Sequence, residues 1–197
     1  MRRLLGPALL IAGVWLVPAA VAQEKENEKN YPLKLGTKWT YKISGNASKL
    51  LLKAAKEEKV GDENCVLLEG TLDGNVVERE WQALKADGVY RCKYAEALSE
   101  PPLRLLKFPP KKDDNWKQDV KTAGAQITVA SSVTIEDVEV PEGKYRNATV
   151  VRAVISMGGM DAAKTTSYYA DKRGLVKKVI EVGGNTITLE LEKFEAP

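Results

Sequence analysis

The chain contains no histidine. That one absence removes the Ser-His-Asp triad, the Cys-His dyad and every His-ligated zinc or copper site. General acid–base work would fall to carboxylates, lysine or tyrosine. Cysteine is nearly absent too: Cys65 and Cys92 are the only two, and their spacing excludes a Cys-x-x-Cys redox motif. No calcium loop is present, because the adjacent acidic pairs Asp62/Glu63, Asp113/Asp114 and Glu136/Asp137 lack the every-other-residue pattern. Gly158-Gly159 is no phosphate cradle, since the required Lys-Ser/Thr does not follow. No metal or cofactor is expected. After the first 22 residues no apolar run is long enough to span a membrane as a helix.

Those first 22 residues read as an export signal. Arg2 and Arg3 give a charged start, Ala8 to Val17 an apolar centre, and Ala20-Val21-Ala22 a small-x-small cleavage site after Ala22. No cysteine follows the cleavage point to carry a lipid. Residues 23–30 are charged, without large apolar side chains, and read as a flexible leader. Residues 31–197 then form one domain, long enough to bury a core of its own. Thirty Lys and Arg, less Arg2 and Arg3, leave 28 against 27 Asp and Glu, a net charge of +1. That balance gives no basic stripe, and so no support for a nucleic-acid or anionic-membrane partner. The expected location is secreted or periplasmic, and the expected state a monomer.

In an oxidising compartment the isolated pair Cys65 and Cys92 reads as a disulfide. Closing their 27-residue separation would stabilise the fold by about 3–4 kcal/mol on the chain-entropy estimate. Two buried free thiols are the alternative. Asn46-Ala47-Ser48 and Asn147-Ala148-Thr149 are glycosylation acceptors only in a eukaryotic host.

From Tyr31 onward the dominant hydrophobic period is two. Trp39, Tyr41 and Ile43 alternate with polar residues, as do Ile187, Leu189 and Leu191. Ile127, Val129, Val133 and Ile135 do the same, with Ser131 interrupting the apolar face. Asp73-Gly74, Asp87-Gly88, Pro141-Glu142-Gly143, Lys172-Arg173-Gly174 and Gly183-Gly184 supply turns between such runs. About ten strands in an antiparallel meander follow. Leu50 to Lys59 has good helix formers, yet Leu50, Leu52 and Ala54 also fit a two-residue period, and a strand is favoured. Any short helix would fall there or in Glu96 to Pro102.

Trp39, Trp81 and Trp116 belong to strands, where they either pack in the core or line an aromatic groove. Met157-Gly158-Gly159-Met160-Asp161 reads either as an adaptable apolar lid or as a long hairpin loop. The candidate contact surface is Trp39, Tyr41, Trp81, Trp116, Met157 and Met160. No catalytic residue is assigned.

Three stretches carry a resemblance to a known group. They are Pro32-Leu33-Lys34-Leu35-Gly36-Thr37-Lys38-Trp39-Thr40-Tyr41, Val140-Pro141-Glu142-Gly143-Lys144-Tyr145 and Tyr169-Ala170-Asp171-Lys172-Arg173-Gly174-Leu175-Val176-Lys177. The chain resembles secreted bacterial β-rich proteins, some of them similar to the LolA/LolB lipoprotein carriers. That resemblance implies an all-β, strongly curved antiparallel sheet or half-open barrel around an apolar cavity. The expected function is a non-enzymatic binding or carrier module of the cell envelope, holding an apolar small molecule or a protein partner. Alternatives are an assembly protein acting through sheet edges, and, third, a carboxylate-based hydrolase.

Overall fold

The computed structural model describes residue 27 and residues 31–197. The export signal and the leader, Asn27 apart, lie outside the described residues. Twelve strands follow: β1 (Lys38–Ile43), β2 (Lys49–Val60), β3 (Glu63–Leu72), β4 (Asn75–Lys85), β5 (Gly88–Tyr94), β6 (Ala97–Lys107), β7 (Asn115–Thr122), β8 (Ala125–Val140), β9 (Gly143–Met157), β10 (Met160–Ala170), β11 (Gly174–Val182) and β12 (Asn185–Glu195). Each pairs antiparallel with its sequence neighbours, and β1 also pairs with β12, giving a closed barrel. The meander expectation holds, whereas the half-open sheet is corrected to a closed one. Closure has a plain cause. The apolar face of β12 meets that of β1 across a bulge between Thr40 and Tyr41, with Trp39 opposite Phe194 and Tyr41 opposite Leu191, so neither strand remains an edge.

Leu50 to Lys59 lies within β2, and Glu96 to Pro102 mostly within β6. In β2 the two-residue period prevails over helix propensity because Leu50 and Ala54 are buried in the core while Lys49, Leu51 and Lys53 are exposed. The Met157–Met160 string is a tight turn: β9 runs to Met157, β10 begins at Met160, and only Gly158 and Gly159 intervene, both at positive φ (59° and 82°). Two successive positive angles favour glycine.

An up-and-down barrel places its turns alternately at two ends, and here the ends differ. At one, Tyr31 and Leu33 close the barrel, packed in the main core with Trp39, Phe108, Tyr169 and Val176. The plug is tied down by polar contacts. Tyr31 Oη donates to Gln82 Oε1 at 3.0 Å, and the Asn27 amide donates to the carbonyls of Lys85 and Ala86, both at 3.0 Å. Nearby, Trp39 Nε1 donates to the Arg173 carbonyl at 2.7 Å and Tyr41 Oη to the Leu175 carbonyl at 2.8 Å. At the other end the turns carry exposed apolar side chains instead: Val76 and Val77, Tyr94 and Leu98, Met157 and Met160, Val182 and Ile187. The wall between carries outward charges such as Lys53, Arg79, Asp119, Lys121 and Arg152, which a lipid-facing band would exclude. No helix among the described residues is long and apolar enough to cross a membrane.

One seam is thin. β6 and β7 share a single backbone pair, Glu100 with Lys121. Pro101 and Pro102 bring no N–H to that ladder. A side chain substitutes for it: Gln118 of β7 accepts from the Arg104 backbone N–H at 2.8 Å and donates to the Pro102 carbonyl at 3.5 Å.

Candidate functional site

Strand alternation turns one face of every strand into the lumen, and the lumen is only partly filled. A cavity of about 120 Å³ lies inside the barrel. Its deep part is bounded by Tyr31, Trp39, Tyr41 and Tyr169 at the plugged end. One wall is apolar, with Leu103, Leu105, Val129, Ala153 and Ile155. The other is polar. β4 sends Glu78, Glu80 and Gln82 inward at successive alternate positions, β5 adds Arg91, and β11 adds Lys178. Ser131, the interruption in the β8 pattern, also lines the lumen and is buried.

The polar wall is internally wired. The Tyr31 hydroxyl donates to Gln82 Oε1, and Gln82 Nε2 donates to Glu80 Oε1 at 2.7 Å. The other oxygen of Glu80 lies 4.0 Å from the Arg91 guanidinium. Arg91 Nε is buried and has no hydrogen-bond partner. Glu78 occupies space that a glycine leaves. Gly70 stands opposite it on β3, and a Cβ there would approach Glu78 Cβ at 3.0 Å, Leu50 Cδ1 at 3.2 Å and Glu78 Oε2 at 3.4 Å. Burial pushes the Glu78 carboxyl up from its usual range; neighbouring Glu80 adds to this, and Lys178 and Arg91 oppose it. Burial likewise raises Tyr31, Tyr41 and Tyr169, which stay protonated well past the usual phenol range.

The candidate residues read from the sequence are divided by this arrangement. Trp39 and Tyr41 line the cavity. Met157 and Met160 sit on the exposed rim, 52% and 75% exposed. Trp116 is half-buried against the main core, with its indole N–H buried and unpartnered, and it is not among the lining residues. Trp81 faces the opposite way. It lies in a separate outer cluster with Cys65, Leu67, Ala83, Tyr90 and Cys92, beneath the Lys93 ammonium at 4.5 Å, with its indole N–H donated to Glu58. Its burial comes from long charged side chains lying over it.

Cys65 and Cys92 are buried thiols in that outer cluster, on β3 and β5 with β4 between them. Cys65 donates to Cys92, and this bond together with burial raises the Cys65 thiol above its ordinary range. Among the described residues no group of three or more His, Cys, Asp or Glu could hold a metal ion.

The charged belt of the lumen is absent from the sequence-based candidates. Its signal is the polar run Glu78-x-Glu80-x-Gln82, hidden because Trp81 marks the apolar face of β4 and that face points out. A strand's inside and outside differ by one residue of phase, so one misassigned tryptophan inverts the whole strand.

Fold and lumen together define a class: a small up-and-down barrel with one plugged end and an amphipathic interior. Solved structures share this fold. One is a protein inferred to be exported, with a YmcC-like fold, from Bacteroides fragilis NCTC 9343; identity is 11% and TM-score 0.51, over 85% of this chain and 99% of that one. Another is a protein inferred to be a lipoprotein from Parabacteroides distasonis ATCC 8503, at 13% identity and TM-score 0.51, over 84% of this chain and 97% of that one. No protein-family model and no curated protein matches the chain.

Proposed function

We propose that the protein is an exported, non-enzymatic binding module whose barrel holds an apolar or amphiphilic small molecule. The observation that carries this reading is the lumen cavity, apolar along β6, β8 and β9 and polar along β4, β5 and β11. Pockets of this composition suit small ligands, with a few polar groups fixing orientation. The leader-like first 22 residues and the exported character inferred for the Bacteroides fragilis neighbour support an envelope location. Assembly through sheet edges has less to work with, since every strand has neighbours on both sides and only the β6–β7 seam is sparsely bonded.

The test is calorimetric titration with pentan-1-ol, a slender amphiphile suited to an interior of about 120 Å³. Saturable one-site binding is expected for the native barrel and loss of it for Ala153→Phe, which fills the lumen without touching the rim. Absence of saturable binding, or unchanged binding by a folded Ala153→Phe variant, would refute the reading.

A further inference from the structure

The polar wall of the lumen has more to satisfy than the fold itself provides. Arg91 Nε is buried without a partner, and Arg91 reaches Glu80 only at 4.0 Å. One Glu80 oxygen is already taken by Gln82. Lys178 lines the same cavity, and among the described residues no carboxylate lies within ion-pair distance of it. Both cations instead act on Glu78 from a distance, and among the described residues none donates a hydrogen bond to Glu78. A buried donor without an acceptor is costly, and such orphans in native structures call for an explanation.

We infer that this belt is a head-group site, in which Arg91 and Lys178 receive the carboxylate of a single-chain amphiphile whose tail lies against Leu103, Val129 and Ile155. The inference rests on the carrier reading and names its ligand class. A carboxylate supplies the acceptors that Arg91 Nε and the Lys178 ammonium lack, and charge-assisted bonds of that kind are the strong ones. Glu78 stands beside the incoming anion, and burial shifts its carboxyl upward, in the direction that lessens repulsion. A cationic head would find Glu78 and one Glu80 oxygen, both facing the positive charges of Arg91 and Lys178. The enclosed volume, about 120 Å³, compares with the ~150 Å³ cavity that accommodates a benzene ring. It therefore takes a short run of methylenes, and a longer chain would have to leave the cavity on the side away from the Tyr31 plug.

Calorimetric titration of the full chain with decanoate, decanol and decyltrimethylammonium, each below its micellar concentration, tests this. Decanoate should bind at least about tenfold more tightly than decanol, as charge-assisted hydrogen bonds predict. Arg91→Gln and Lys178→Gln should each reduce that ratio toward one. Lys178→Gln, at a half-buried position, keeps the test open if Arg91→Gln fails to fold. Equal affinities for decanoate and decanol, or tightest binding of decyltrimethylammonium, would overturn the head-group assignment and leave the carrier reading standing. Failure of all three amphiphiles to bind would sink both.

Discussion

Replacing Gln118 by alanine should weaken the whole barrel although the residue is neither in the main core nor at an active group. The reason is the seam it spans. β6 and β7 have one backbone pair, and Pro101 and Pro102 cannot donate. Gln118 Oε1 is the acceptor for the Arg104 N–H at 2.8 Å, and its Nε2 the more distant donor to the Pro102 carbonyl at 3.5 Å. Removing the acceptor orphans a partly buried backbone N–H, which costs about 1–3 kcal/mol, and the long second bond adds little. A net loss of about 2 kcal/mol is expected, or a fall in Tm of about 4–8 °C for a chain of this size. Gln118→Glu retains the acceptor and loses only the donor, so it should cost about 1 kcal/mol or less. Urea unfolding followed by far-ultraviolet circular dichroism gives both values, and amide exchange at Arg104 reports the bond itself. A Gln118→Ala variant within about 0.5 kcal/mol of the native chain, with Arg104 exchange unchanged, would refute the reasoning.

Two further outcomes follow from buried groups. Tyr31, Tyr41 and Tyr169 have folded pKa values above the ordinary phenol value near 10, so the native state holds their protons more tightly than the unfolded chain. Their contribution is therefore complete below about pH 10 and is lost as pH rises beyond it. Spectrophotometric titration should show these three ionising only with unfolding, and their titration in a still-folded protein would contradict the plug. Cys65 and Cys92 flank β4, which puts their backbones about two strand spacings apart, roughly 9–10 Å, beyond the ~7 Å reach of a disulfide. The native protein should have the mass of the reduced sequence and resist thiol reagents until denatured; a mass two daltons lower would establish the bridge instead.

The strand content was legible because period-two patterns and turn residues agree locally. Asp73-Gly74 and Gly183-Gly184 all adopt the positive φ angles their turns demand, and Pro141-Glu142 separates β8 from β9. Closure was not legible, since the β1–β12 pairing depends on the cumulative curvature of all twelve strands rather than on any local motif. The lumen was half legible. Trp39 and Tyr41 lie on strands whose apolar face is the inner one, the ordinary case. Trp81 lies on the outward face of β4, under Lys93 and Glu58, and that placement concealed Glu78, Glu80 and Gln82. Sequence alternation gives the phase of a strand but not its sign; the sign is set by neighbours distant in sequence.

The consecutive strand order carries a consequence for how the molecule comes into being. Eleven of the twelve strand pairings join sequence neighbours and can form as local hairpins, while β1 with β12 links the two extremes of the domain. Loop closure over such a span is the entropically slow step. Until β12 docks, Tyr41 has no Leu191 opposite it and Trp39 no Phe194, so the lumen has no fourth side. A chain shortened by its last strand would lose not one twelfth of the wall but the interior itself, and ligand capacity should emerge only with the final residues of the fold.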